Sequence, residues 1–191
     1  MTREASQSTI PGLDPGIPRR EGSEHSAVAR SDRGAGGLTI AVETPLQDDV
    51  RALVAELNEA LIARTPREFC HHLTVEQMAD PSTTVFVARD EAGSAIAIGA
   101  LRRDRDGIGE VKRMYTRPAL QGRGIGGAML ERIEATARRD GLTRLVLETG
   151  EDAGFEAAWR IYERGGFSRC GPVLDYPDSG HSRFYEKHLT A

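Results

Sequence analysis

An α+β domain built on one mixed sheet is the fold class the sequence predicts, on three observations. A helical run near the start is followed by a meander of strand-like segments. That meander ends in a glycine-rich turn that opens a second amphipathic helix, and a strand, a shorter helix and two further strands complete the chain. With 191 residues, 39% of them hydrophobic, the chain has room for one substantial core, so a single domain is expected.

Residues 1–36 hold prolines, glycines, serines and charges with no apolar run to bury, which predicts a disordered N-terminal extension ahead of a single domain over 37–191. Leu38 to Val42 reads as a first strand. Thr44-Pro45-Leu46-Gln47 has the pattern of a capping box with proline in the first helical position, and Val50, Leu53, Val54, Leu57 and Leu61 then recur at helical spacing. A short helix is predicted from Thr74 to Met78. Thr84 to Arg89 and Ala95 to Leu101 flank the turn Asp90-Glu91-Ala92-Gly93 as a hairpin, and Gly109 to Thr116 continues the sheet. Ile125, Met129, Ile133 and Ala137 form the stripe of the main helix, which stops at Asp140-Gly141. Thr143 to Thr149 is a strand, Gly154 to Arg164 a helix, and Phe167 to Cys170 and Ser182 to His188 are closing strands.

The turn Gln121-Gly122-Arg123-Gly124-Ile125-Gly126-Gly127 carries the first chemical signal. A helix that starts among glycines turns its unpaired N–H groups toward an anion, so the stretch reads as a phosphate cradle. It is not a nucleotide P-loop, because Gly126 is followed by Gly127-Ala128 where lysine and a hydroxyl are required. Gly122, Gly124 and Gly127 do match the three-glycine spacing of a Rossmann fingerprint, with Glu148 near the end of the next strand, and a Rossmann-type nucleotide-binding enzyme is therefore a competing reading.

A formal charge of -4 and 5% aromatic residues supply neither the basic field nor the stacking surface of a nucleic-acid binder. No run approaches the length of a membrane span and the N-terminus has no apolar signal region, so a cytoplasmic location is expected. Cys70 and Cys170 are too few and too far apart for a disulfide framework, and Cys170 has no histidine or acid near it in sequence that marks a nucleophile. His71 and His72 lack further ligands at metal-binding spacing, so no metal is expected.

Two motifs in register bring a family into view. Gln121-Gly122-Arg123-Gly124-Ile125-Gly126 resembles the Gln/Arg-x-x-Gly-x-Gly/Ala pyrophosphate motif of the GNAT superfamily of N-acetyltransferases. Ala158-Trp159-Arg160-Ile161-Tyr162-Glu163-Arg164-Gly165-Gly166-Phe167 is similar to that family's Ala-x-x-x-Tyr-x-x-x-Gly-Phe signature. The resemblance covers about Leu38 to Leu189 and implies a mostly antiparallel sheet whose central strands, here about 109–116 and 143–149, splay to admit the pantetheine arm of acetyl-CoA. It implies cofactor contacts from the backbone near Met114, Tyr115 and Thr116 and from Gln121, Gly122, Arg123, Gly124, Ile125, Gly126 and Gly127. One departure is Phe155, which stands where many relatives carry asparagine seven positions before the tyrosine.

Acetyl transfer to an amine needs a base for the ammonium, a donor for the oxygen of the tetrahedral intermediate and a proton for the leaving thiolate. The resemblance places Tyr162 as that acid and Glu110 as the base; a core tyrosine and an ion pair of Glu110 with Lys112 or Arg113 are the structural alternatives. Glu148 is a second candidate base or an attractor for a cationic substrate. The polar, turn-rich segment Val173 to Arg183, with Tyr176, reads as an acceptor-recognition loop. The expected function is acetyl transfer from acetyl-CoA to a primary amine by direct attack in a ternary complex. The acceptor is expected to be a small-molecule amine or amino-acid-like compound, and a homodimer is a family-level expectation. A non-catalytic acyl-CoA-binding module of the same fold stands as the alternative.

Overall fold

The computed structural model describes residues 37–62 and 73–190, with the backbone of Asp32–Arg33. Cys70, His71, His72 and the extension ahead of Asp32 lie outside the described residues. In chain order the elements are β1 (Asp32–Arg33), β2 (Thr39–Val42), α1 (Asp48–Ile62), α2 (Val75–Met78), β3 (Thr83–Arg89), β4 (Ala95–Arg103), β5 (Ile108–Thr116), α3 (Ile125–Arg139), β6 (Arg144–Gly150), α4 (Glu156–Arg164), β7 (Ser168–Cys170) and β8 (Ser182–His188). The strands form one sheet in the order β1-β2-β3-β4-β5-β6-β8-β7. Every pairing is antiparallel except that of β5 with β6, which gives the mixed, mostly antiparallel sheet the sequence predicts and removes the parallel sheet a Rossmann reading requires.

Strand alternation sorts the core onto two faces. Val85, Val87, Ile98 and Ala100 pack under α1 and α2 with Val50, Leu53, Val54 and Met78. Phe86, Ala88, Ala97 and Leu101 turn the other way, to the cluster of Met129, Ile133 and Ala137 from α3 with Tyr162 and Tyr185. Each helix therefore covers the sheet with the stripe visible in its sequence.

Between β4 and β5 the register slips by one residue: Ile98 pairs with Tyr115 but Ala100 pairs with Lys112, so Gly99 alone faces both Arg113 and Met114. This is a β-bulge, and Arg113 occupies it with a left-handed φ of 57°. Gly99 fits because a Cβ there would lie 2.8 Å from Met114 Sδ and 2.9 Å from Met129 Cγ.

One predicted cap is displaced. Thr44 to Gln47 forms a turn before α1, with Gln47 Nε2 donating to Glu43 Oε2 at 2.8 Å and to the Thr44 carbonyl at 3.2 Å, instead of a capping box. The box forms at α2, where Thr74 Oγ1 accepts from Gln77 N–H and Gln77 Oε1 accepts from Thr74 N–H. What holds the start of α1 to the sheet is Arg89, which reaches Glu43 at 2.7 Å and Asp49 at 2.6 Å. Hydrogen bonding to Arg89 holds both carboxyls below their ordinary values. Their stabilising contribution is full above the unfolded-state values and is lost as pH falls through the lower folded ones. Arg89→Ala is expected to cost about 1–2 kcal/mol in urea denaturation at pH 7. The difference from the wild type should shrink below about pH 4, and a pH-independent difference would refute the assignment.

Candidate active site

The glycine loop follows a 3-10 turn at Pro118–Leu120, and Gln121 Nε2 ties it to the end of β5 by donating to the Thr116 carbonyl at 3.0 Å. Gly122 and Gly124 take φ of 79° and 83°, conformations that side chains oppose. The first bond of α3 runs from Ala128 N–H to the Gly124 carbonyl, so the N–H groups of Ile125, Gly126 and Gly127 find no acceptor among the described residues. A Cβ at Gly122, Gly124 or Gly127 would meet nothing within 4 Å, whereas one at Gly126 would lie 2.9 Å from Ile161 Cδ1. The loop thus offers bare, outward backbone on one side and packs against α4 on the other. Arg123 is exposed beside it. Unpaired donors over open space at a helix start suit the pyrophosphate of acetyl-CoA.

Beside this cradle the sheet divides. β5 and β6 pair only through Ile108–Arg144, Gly109–Leu145 and Glu110–Val146; past these residues the two strands diverge. Met114, Tyr115 and Thr116 lie along the diverging part of β5 and remain paired to β4 only at Tyr115 and Thr116. A linear molecule bearing amides matches the backbone groups along the gap.

Glu110 stands where the division begins, and it is buried to 1% exposure. Its Oε1 accepts from Lys112 Nζ at 2.8 Å and from the Tyr176 hydroxyl at 2.6 Å, and Lys112 Nζ also meets that hydroxyl. Its Oε2 lies 3.9 Å from Arg102 Nη1 and has no hydrogen-bond partner among the described residues. Of the two ion pairs the sequence left open, the one with Lys112 forms; Arg113 is turned instead to Asn58. Tyr176, from the segment predicted as a recognition loop, covers the carboxylate, and burial with the Glu110 charge raises its phenol far above the ordinary range.

Tyr162 sits in α4 with its ring 5.9 Å from Tyr185 and 6.2 Å from Phe167. Burial first, then the charges of Glu148 and Tyr185, push its phenol well above its ordinary value, so it keeps its proton at neutral pH. Glu148, on β6, accepts from Ser182 Oγ at 2.7 Å. Phe155 lies across Gly150, where a Cβ would come within 2.3 Å of its ring, and so fills the end of β6 with an apolar side chain. Trp159 is half-buried, donating to the Gly150 carbonyl at 3.0 Å beneath the Arg183 guanidinium. Cys170 is half-buried, and burial raises its thiol, the wrong direction for a nucleophile.

The structure brings Glu110, Lys112 and Tyr176 together and sets Glu148 within electrostatic reach of both Tyr162 and Tyr176. Sequence reasoning missed Arg102, whose only signal is its cross-strand position opposite Glu110, and Asn58. Among the described residues no helix is long and apolar enough to cross a membrane, and no group of three or more potential metal ligands occurs.

A sheet split beside a glycine-lined helix start defines an acyl-CoA-dependent transferase. The chain belongs to the Acetyltransferase (GNAT) family, which it matches over residues 49–167. It is an N-acetyltransferase of a family that uses acetyl-CoA. It is 41% identical over 153 residues to an IAA acetyltransferase of Azospirillum brasilense, covering 80% of this chain and 98% of that one. To YedL, an uncharacterized N-acetyltransferase of Escherichia coli (strain K12), it is 37% identical over 147 residues, covering 77% of this chain and 92% of the relative. Among solved structures, one from Klebsiella pneumoniae assigned to the acyl-CoA N-acyltransferases superposes with a TM-score of 0.67 at 28% identity, covering 80% of this chain and 98% of that chain.

Proposed function

We propose that the protein transfers the acetyl group of acetyl-CoA to the primary amine of a small molecule by direct attack within a ternary complex. The observation that carries this reading is the position of Glu110, a buried carboxylate with one oxygen that accepts no hydrogen bond from the described residues, at the point where β5 and β6 part. Bound acetyl-CoA supplies an activated acetyl thioester. The N–H groups at the start of α3 and the loop from Gln121 to Gly127, with Arg123 adding charge, bind its phosphates. The backbone of Met114, Tyr115 and Thr116 aligns its arm in the split. Glu110, through Oε2, accepts a proton from the incoming ammonium, while Lys112 and Tyr176 fix the carboxylate through Oε1. Glu148 and Tyr176 border the approach of the acceptor. As the C–S bond breaks, Tyr162 donates its phenolic proton to the departing sulfur, and the second proton shed by the acylated nitrogen restores the phenol.

The test is thiol release from acetyl-CoA against a broad panel of amines, with product masses determined. Acetylated primary amines support the reading; hydrolysis without transfer, or transfer through a covalent acyl-enzyme, defeats it. The cradle makes its own prediction. Gly124→Val forces a β-branched residue to φ near 83° and is expected to raise the KM for acetyl-CoA about tenfold. Kinetics at saturating amine check it, and an unchanged KM removes the loop from phosphate binding.

A further inference from the structure

Three charged side chains follow one another on the α1-facing side of β5: Glu110, Lys112 and Arg113. The cations around this position find carboxylates, Lys112 and Arg102 at Glu110 and Arg117 at Glu56. Arg113 does not. Arg113 is 8% exposed, its Nη2 donates to the neutral Asn58 Oδ1 at 2.6 Å, and its Nε is buried with no acceptor among the described residues. Desolvation lowers its pKa to about 10, with no acid opposing the shift, so it remains a cation at neutral pH. A buried charge without a counter-ion is strongly unfavourable, and this one is also held by a bulge in a backbone conformation that non-glycine residues avoid. Bulges recur beside active sites, where they re-aim a side chain; this one turns Arg113 to α1, away from the α3 side taken by Met114.

We infer that Arg113 and Asn58 bind a carboxylate carried by the acceptor amine, which makes amino-acid-type zwitterions the substrate class of this N-acetyltransferase. The inference rests on the proposed reaction, with the amine at Glu110. A planar guanidinium offers a carboxylate two parallel donors, and Asn58, its oxygen already engaged, has two amide hydrogens left for the same anion. Glu110 and Arg113 are three residues apart on one strand, about 10 Å between Cα atoms before the bulge shortens it, a span within the combined reach of two long side chains and one small amino acid. Glu110 and Glu148 supply the pole for the ammonium and Arg113 the pole for the carboxylate, so the two ends of the substrate are told apart by charge.

The experiment uses the full chain saturated with CoA and matched ligands: α-amino acids, β-alanine and 4-aminobutyrate, the carboxamide of each, and O-phosphoethanolamine. Calorimetric titration and thermal shift read binding; thiol release with acetyl-CoA reads turnover separately. At least one carboxylate is expected to bind on the order of tenfold or more tightly than its carboxamide. Arg113→Gln should erase that preference while leaving carboxamide binding within about twofold, and Arg113→Lys should restore part of it. Asn58→Asp gives Arg113 an internal counter-ion, so it should raise the melting temperature and weaken carboxylate binding. No panel carboxylate binding, equal binding of carboxylate and carboxamide in the wild type, a preference that survives Arg113→Gln, or preference for the phosphate ester overturns the inference. Arg113-dependent binding without acetyl transfer would instead defeat the proposed reaction and leave the carboxylate site standing; transfer indifferent to the carboxylate would do the reverse.

Discussion

Replacing Tyr162 by phenylalanine is expected to lower kcat by about 10²- to 10³-fold and to leave the KM for acetyl-CoA within about twofold. The ring is a core side chain, packed against Phe167 and Tyr185, and phenylalanine keeps that packing. Its hydroxyl donates no hydrogen bond to the described residues and stays protonated because burial, aided by the Glu148 charge, opposes phenolate formation. The variant therefore removes a proton and little else. Since the acid works in its protonated form and its pKa is raised, wild-type activity should not fall on account of Tyr162 as pH rises through the ordinary tyrosine range near 10. Stopped-flow or steady-state thiol release from pH 6 to 10.5 measures both effects. Equal kcat in the two proteins would leave Tyr162 a core aromatic and assign the proton to water.

The second large effect is at Glu110. Glu110→Gln is expected to lower kcat/KM for the amine by about 10²- to 10⁴-fold near neutral pH. A structural role would show itself differently. The substitution leaves Lys112 and Arg102 without their carboxylate, so some loss of stability is expected whichever role is right. The discriminating measurement is the pH profile: a lost base leaves residual activity that climbs with pH, as more of the amine arrives already neutral. A profile of unchanged shape, scaled down in proportion to folded protein, would make Glu110 a structural anchor for Lys112 and Tyr176. Tyr176→Phe separates the parts further, because it removes one donor from Oε1 and keeps the acid.

Most of the sheet was legible because alternation and turn chemistry are local. The hairpin across Asp90 to Gly93, the helix stripe from Ile125 to Ala137 and the strand from Ser182 to His188 all follow from residues within a few positions of one another. The capping box misled because Thr44 and Thr74 carry the same local signal, a threonine three residues before a glutamine. Arg89, 46 positions from Glu43, helps set the chain at the first of them. The candidate site is marked in the sequence by its glycines and its tyrosine motif, whereas its contacts are not. Glu110 meets Tyr176 across 66 positions, and no periodicity links them. The bulge was equally hidden: plain alternation puts Lys112 on the face of Glu110, but a one-residue slip opposite Gly99 turns Arg113 to that face as well, and a regular strand pattern contains no mark of it.

The divergence of β5 from β6 leaves two strand edges facing each other inside the sheet, without a third strand between them. Edges of this kind are adhesive on a protein surface, where they recruit other chains. Here β4 and β8 pair with their outer sides, which leaves a gap flanked by strands on both sides, and under the proposed function a single slender chain enters it. Occupancy of that slot therefore adds to the fold what an inserted strand would add. Cohesion between the half of the sheet from β1 to β5 and the half from β6 to β7 becomes a function of ligand concentration, and the melting temperature should climb with the logarithm of free CoA above its dissociation constant.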